Sequence, residues 1–300
     1  MSRRVRLVVN PSSGKGRALE LLPAVAGALR DDGLELTILL SRDFPEARAM
    51  AEGAVADGVD VLAVMGGDGM MHLGANACAR AQLAGDRRTT LGMIPAGTGN
   101  DLCRGIGLEP HDAAAAAAVI AAGHARQVDL TRVGDRFIGG VMATGFDALV
   151  NRRANQMFWP RGSSRYTLAT LAELRVFSPL RYRLTIDGEV RQLAAMLVAI
   201  GNTASYGGGM RICPRADPFD GWLDVTIIHP VGRLKLLRLL PQMFSGKFAR
   251  DACVEQLQVR EITVEGPGLV SFGDGELIAA APLTACVVPR ALQAYVAANG

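Results

Sequence analysis

Residues 59–69 read Val59-Asp60-Val61-Leu62-Ala63-Val64-Met65-Gly66-Gly67-Asp68-Gly69. The apolar run Val61–Met65 does not alternate with polar residues, so both faces of the strand it predicts must be covered. That is the pattern of a parallel sheet flanked by helices. The run ends in three glycines around one aspartate. Glycine loses the most entropy on ordering, so this cluster is costly as a mere connection and points to close approach of backbone to a ligand.

The same rhythm recurs on either side. Arg4–Val9 predicts a strand, followed by a glycine-containing loop and a helix over about 17–30 that stops at Gly33. Leu34–Leu40 predicts a strand and 45–57 a helix. Thr90–Ile94 predicts another strand, ending in Pro95-Ala96-Gly97-Thr98-Gly99-Asn100-Asp101. Strand–helix alternation implies an α/β domain over 1–128, with a parallel, Rossmann-like sheet. After Asp129 the texture changes. Arg181–Ile186 and Glu189–Ile200 read as a long hairpin around the Asp187-Gly188 turn. Further strands are expected at Trp222–Ile228, Leu257–Val264, Val270–Phe272, Leu277–Ala281 and Ala285–Val288. Helices are expected near 145–158, 163–177 and 232–246. Residues 129–288 thus read as a β-rich, mainly antiparallel domain, and Arg290–Ala298, within 289–300, as a helix that docks back on the first domain.

The chain has 300 residues, 49% of them hydrophobic but only 5% aromatic, so aliphatic side chains must fill its core. A net charge of +3 is too mild to argue for a nucleic-acid partner. Five scattered cysteines without a C-x-x-C pair favour reduced thiols, and four dispersed histidines form no zinc pattern. Met1–Arg4 runs into a strand without an apolar signal core, and no run of about eighteen apolar residues occurs. A cytoplasmic protein is expected, with any membrane contact peripheral, at the inner face. The alanine-rich stretch 113–122 reads as a buried helix.

Three loops share one placement: each follows a predicted parallel strand and leads toward a helix, the edge where open α/β sheets bind ligands. Asn10-Pro11-Ser12-Ser13-Gly14-Lys15-Gly16 is neither a Walker A loop nor a dinucleotide fingerprint. Alone it reads equally well as a turn and helix cap. Gly66–Gly69 and Pro95–Asp101 can point backbone N–H groups at phosphate oxygens.

N-P-x-S-G, then G-G-D-G, then P-x-G-T-x-N-D, in that order, resembles the diacylglycerol kinase family, which also includes sphingosine and ceramide kinases, with NAD kinases more distant. Gly145-Phe146-Asp147-Ala148 looks like its G-x-D-A element. Gly207-Gly208-Gly209 through Pro214, Ala216, Asp217 and Asp220-Gly221-Trp222-Leu223-Asp224 looks like its G-G-G…P-x-A…D-G-x-L-x-V stretch, and Asp274-Gly275-Glu276 like its D-G-E element. The resemblance spans nearly the whole chain. It implies ATP in a cleft between an α/β domain and a β-sandwich-like domain with inserted helices. It assigns Asn10, Ser12, Ser13, Gly14, Gly66, Gly67, Asp68, Gly69, Met70, His72, Thr98, Asn100 and Asp101 to the nucleotide side. Asp274 becomes the general base, with Glu276 beside it. Asp217, Asp220 and the Trp222 carbonyl would hold a Mg²⁺.

By itself, Asp274-Gly275 also reads as a plain hairpin turn, and Asp217–Asp220 as a plain turn. One departure stands out. The common pattern is G-G-D-G-T-x-N-E, whereas this chain has Met70 for the threonine, His72 for the asparagine and Leu73 for the glutamate. Sphingosine kinases are more similar here. The expected activity is ATP- and Mg²⁺-dependent phosphorylation of a lipid hydroxyl, diacylglycerol to phosphatidic acid first. A sphingosine- or ceramide-type kinase, an NAD kinase and a non-catalytic lipid or nucleotide binder are the alternatives. Basic and apolar residues mix in 151–183 and 233–250, either of which suits contact with an anionic surface or an ordinary half-buried helix. The oligomeric state stays open, a homodimer included.

Overall fold

The computed structural model describes residues 2–85, 89–146, 153 and 178–297. Strands β1 (Arg4–Val9), β2 (Glu35–Leu40), β3 (Val61–Gly66) and β4 (Thr90–Pro95) form a parallel array in the order β2-β1-β3-β4. Alternation in β3 is hidden by its uniform apolarity yet still decides the packing, as it does in β1. Val5, Leu7, Val9, Val61, Ala63 and Met65 face helices α1 (Arg17–Asp31) and α5 (Ala113–Ala122), the latter preceded by the short α4 (Asp101–Gly105). Val8, Leu62 and Val64 face α2 (Phe44–Ala56) and α3 (Asp68–Leu83). Asp43 caps α2 by accepting from Glu46 N at 2.8 Å, and Asp112 caps α5 by accepting from Ala115 N at 2.9 Å. The alanine-rich α5 is buried on one face only, through Ala113, Ala116, Ala117 and Ile120.

The β-rich half is a sandwich. One layer is the antiparallel sheet β12 (Val254–Val259), β11 (Leu223–Ile228), β10 (Leu197–Gly201), β7 (Val141–Gly145), β14 (Val270–Gly273), β15 (Glu276–Ala280), in that order. The other continues the first sheet beyond β4, through β16 (Leu283–Tyr295), β13 (Glu261–Glu265), β8 (Leu180–Ile186) and β9 (Glu189–Ala195). β5 (Ala125–Val133) pairs with β16 and with β6 (Arg136–Ile138). Side chains such as Ile200, Val225, Leu184 and Ile262 fill the space between the layers. The opposite face of the antiparallel sheet is covered by α6 (Arg233–Met243) through Leu236, Leu239 and Met243.

Three sequence expectations change. The long hairpin arm ends at Ala195, because the chain crosses between sheets at Met196: β9 and β10 lie in different layers. The single strand expected at Leu257–Val264 likewise divides at Arg260 into β12 and β13. Such crossings are how sandwich corners are made. Arg290–Ala298 was expected as a helix, but its first six residues belong to strand β16, where Leu292 and Ala294 pair with Val128 and Arg126, and Ala294 also pairs with Leu91 of β4. Open strand edges on both sides override a weak helix preference. The helices expected near 145–158 and 163–177 lie outside the described residues, apart from Gly145, which ends β7, Phe146 and Arg153.

Candidate active site

The three glycine loops meet at the C-terminal edge of the parallel sheet. Ala96 N and Gly97 N both donate to Gly66 O, at 2.7 and 3.0 Å. A Cβ on Gly97 would fall 2.4 Å from Gly67 Cα, and one on Gly14 would fall 2.2 Å from Ala96 O. The loops therefore touch backbone to backbone, which only glycine permits.

The candidate residues divide by exposure. Ser12 and Thr98 are exposed, and Asn10, Ser13, Gly14, Gly67, Asp68 and Gly69 are half-buried, along the open rim. Asn10 Oδ1 accepts from Ser12 N at 3.0 Å and from Ser12 Oγ at 2.8 Å, holding the first loop in a tight turn. Helix α3 begins at Asp68 without a side-chain cap, so its first N–H groups are available to an anion. Gly66, Met70, His72, Asn100 and Asp101 are buried and serve to lock the loops. Asn100, at φ +53°, accepts from Gly97 N and donates to Gly97 O and Pro110 O. Asp68 accepts from Asn100 N at 3.0 Å and Asp101 N at 2.6 Å, tying the second loop to the third. Burial and the neighbouring Asp101 charge push the Asp68 carboxyl up to about 6. Asp101 bonds Arg104 at 2.5 Å through one oxygen and accepts from Gly208 N at 2.7 Å through the other. It joins the first domain to the Gly207–Gly209 loop, whose three residues all have positive φ.

Asp274 and Gly275 form the two-residue turn between β14 and β15, with φ of +50° and +84°. Both values suit a type I′ hairpin. The turn is also a rigid mount. Asp274 Oδ1 accepts from Gly140 N at 3.0 Å, and Oδ2 accepts from Gly139 N at 3.1 Å and lies 3.1 Å from His72 Nδ1. The side chains of His72 and Asp274 are each 7% exposed. Glu276, by contrast, is exposed, with Oε1 4.0 Å from where a side chain on Gly69 would begin. Asp274 is close enough to Asp68 for its charge to help raise the Asp68 carboxyl.

The tautomer of His72 follows from Asn76. Asn76 Oδ1 accepts from Phe137 N at 3.0 Å and Nδ2 donates to Phe137 O at 2.7 Å, which fixes the amide orientation. Nδ2, whose two hydrogens go to Phe137 O and to His72 O at 2.9 Å, lies 3.3 Å from His72 Nε2 and offers it no acceptor, so the ring proton sits on Nδ1 and is given to Asp274. His72→Phe keeps an aromatic ring at this position and removes this donor. Turnover should fall about tenfold with the KM for ATP unchanged, the expected scale for one hydrogen bond to a carboxylate. Unchanged turnover would show that the backbone donors alone orient Asp274.

Sequence reasoning missed Gly139, Gly140, Asn76 and Asn202. A Cβ on Gly140 would fall 2.5 Å from Asp274 Oδ1, and Asn202 Nδ2 donates to Gly139 O at 2.9 Å. The adjacent glycines at 139–140 were the available signal. For the asparagines there was none, because their partners are distant in the chain.

Asp217 and Asp220 lie together as expected. Asp217 Oδ1 accepts from Phe219 N and Asp220 Oδ1 from Trp222 N, at 3.1 and 2.9 Å. Burial and the nearby Asp217 and Asp129 charges push the Asp220 carboxyl up, against the Trp222 N–H. Among the described residues, no cluster of three or more acidic, histidine or cysteine side chains is arranged to hold a metal. The two neighbouring carboxylates are hard oxygen donors, the chemistry a Mg²⁺ keeping several waters takes.

Comparison with known proteins agrees with this geometry. Residues 4–133 match the diacylglycerol kinase catalytic domain, and residues 140–296 match the YegS C-terminal NAD kinase beta sandwich-like domain. The chain is 40% identical to a diacylglycerol kinase of Mycobacterium tuberculosis over 97% of its length and 94% of that protein. It is 28% identical to a diacylglycerol kinase of Staphylococcus saprophyticus over 92% of its length and 88% of that protein. A crystal structure of a diacylglycerol kinase from Bacillus anthracis strain Sterne shares the fold, with a TM-score of 0.80 at 23% identity, covering 99% of this chain and 98% of that one. With both halves matched and a relative at this identity aligned nearly end to end, the chain belongs to the diacylglycerol kinase family of ATP-using lipid kinases.

Proposed function

We propose that the protein transfers the γ-phosphoryl group of ATP to the free hydroxyl of diacylglycerol, giving phosphatidic acid, with Asp274 as the general base. In this reading residues 1–128 hold the nucleotide and 129–288 the lipid. The observation that carries it is the mounting of Asp274. An ionised carboxylate has about four lone-pair sites. Gly139 N, Gly140 N and His72 occupy three, which leaves one on Oδ1 for the lipid hydroxyl. Phosphoryl transfer depends on positioning and charge neutralisation more than on covalent chemistry. The Ser13 hydroxyl and the backbone N–H groups of Gly14, Gly67–Gly69 and Thr98 would hold the phosphates. Oδ1 of Asp274 would take the hydroxyl proton as the oxygen attacks phosphorus and the bond to ADP breaks.

Magnesium belongs to this proposal at two places. Beside the nucleotide, it would neutralise phosphate charge near Asp68 and Asp274, whose mutual repulsion a cation relieves. In the second domain, Asp217, Asp220 and the Trp222 carbonyl would hold it as a structural ion. The second site has a test independent of turnover. If a cation sits there, Asp220→Ala should lower the melting temperature, and EDTA should lower that of the wild type but not of the variant. If none does, EDTA should leave the melting temperature of the wild type unchanged, and any loss in Asp220→Ala reflects only its missing bond to Trp222 N.

Labelled ATP, Mg²⁺ and mixed-lipid micelles, with identification of the labelled product, test the overall reading. Labelled phosphatidic acid is the expected result. Labelled sphingosine or ceramide phosphate would reassign the acceptor, and ATP binding without any labelled lipid would leave a non-catalytic binder.

A further inference from the structure

Helix α6 is apolar on two faces. Leu236, Leu239 and Met243 are buried against the antiparallel sheet. At 3.6 residues per turn, Leu234, Leu237, Pro241 and Phe244 fall within an arc of about 80° on the opposite side, bracketed by Arg233 and Arg238. Leu234 is 75% exposed, Leu237 41% and Phe244 56%. The other exposed large apolar residues among those described, such as Leu19, Leu83 and Val190, are scattered over separate elements. Single exposed leucines need no explanation, but an aligned, rimmed stripe does.

Charge identifies the occupant. Arg233, Lys235, Arg238, Lys247 and Arg250 are the charged residues of 231–250, and no acid occurs among them. Asp251, just beyond, pairs with Lys235 at 2.7 Å. Two copies docked through this face would set basic rim against basic rim, which disfavours self-association. An anionic bilayer offers the complement: hydrocarbon for the stripe and headgroups for the rim. The helix is also joined to the active site. Arg211 N donates to Met243 O at 2.9 Å, and three residues earlier Gly208 N donates to Asp101.

We infer that the outward face of α6 docks the enzyme on anionic lipid, inserting Leu234, Leu237 and Phe244 below the headgroups. The inference leans on the lipid-kinase reading only for where the substrate resides, and vesicle binding tests it without turnover. The full-length protein is sedimented with vesicles of phosphatidylcholine, with and without phosphatidylglycerol. Wild type should bind the anionic vesicles preferentially, and less as salt is raised. The triple variant Leu234→Gln/Leu237→Gln/Phe244→Gln should bind them at least about tenfold more weakly. Its melting temperature and its activity on a water-soluble short-chain diacylglycerol should hold, since these side chains touch neither core nor site. Leu19→Gln/Leu83→Gln, elsewhere on the surface, should bind like wild type. Should the triple variant melt early, Arg233→Gln/Arg238→Gln carries the test, with loss of anionic preference expected. Four results would overturn the inference: wild type indifferent to vesicle charge; the α6 variants binding as wild type does; equal loss in the Leu19/Leu83 control; or a dimer broken by the triple variant with vesicle binding intact. Failure to find any phosphorylated lipid, with α6-dependent binding preserved, counts against the kinase reading alone.

Discussion

Asp274→Asn should lower turnover by about two to four orders of magnitude, the scale of a lost general base, while the KM for ATP changes little. Asparagine keeps the volume and tolerates the positive φ of this turn. Its amide, however, cannot accept on both sides. Gly139 N and Gly140 N approach different oxygens of Asp274, so one buried N–H must face an NH₂ group. That costs about 1–3 kcal/mol, and the melting temperature should drop by about a few degrees. Comparison with Glu276→Gln separates base from turn. Glu276 is exposed and donates nothing to this network, so its variant should keep both stability and most of its turnover. If Asp274→Asn and the double variant both turn over normally, the hairpin is not the catalytic element, and Asp68 becomes the next carboxylate to test.

The second large effect is expected from a pair of glycines that look interchangeable in the sequence. Gly97→Ala would place a Cβ 2.4 Å from Gly67 Cα and 2.9 Å from Asn100 Oδ1, forcing two backbone loops apart. Overpacking of this kind costs about 1–3 kcal/mol, so melting temperature and ATP affinity should fall together. Gly67→Ala meets only Gly97 Cα, at 3.4 Å, an ordinary contact, and Gly67 has an extended φ of −97°. Its fold should be intact, and its ATP affinity should fall at least about tenfold, or about 1.4 kcal/mol, if phosphate approaches this backbone. Calorimetric ATP titration beside thermal melting distinguishes the two. Unchanged affinity in Gly67→Ala would remove this loop from the nucleotide site, and normal melting of Gly97→Ala would contradict the loop contact.

The alternating strands and helices of the first domain were legible because each element is local. A run such as Val61–Met65 is apolar enough to demand cover on both faces, and Gly33 marks the end of the first helix by its own chemistry, at φ +74°. The three glycine loops were legible for the same reason: strand, glycines and helix start are adjacent in the chain. The Asp274-Gly275 turn was legible as a turn.

Where strands change partners, and which carboxylates are spoken for, emerges only in the folded chain. The breaks at Met196 and Arg260 leave no local mark, since strands on either side carry the same alternation whichever sheet they join. The final strand could not be told from a helix because Ala291–Val296 acquires its conformation from β5 and β4. Asp68 and Asp101 look like free phosphate-site carboxylates in the sequence, yet each is held by backbone N–H groups of another loop. His72 and Asp274 stand 202 residues apart and meet at 3.1 Å. Layers, loops and the chemistry on offer follow from periodicity and residue type over a few neighbouring positions, so they can be read along the chain. Which carboxylate is mounted, and by which groups, follows only from the fold, because hydrogen bonds between distant segments exist only once both sheets have closed around them.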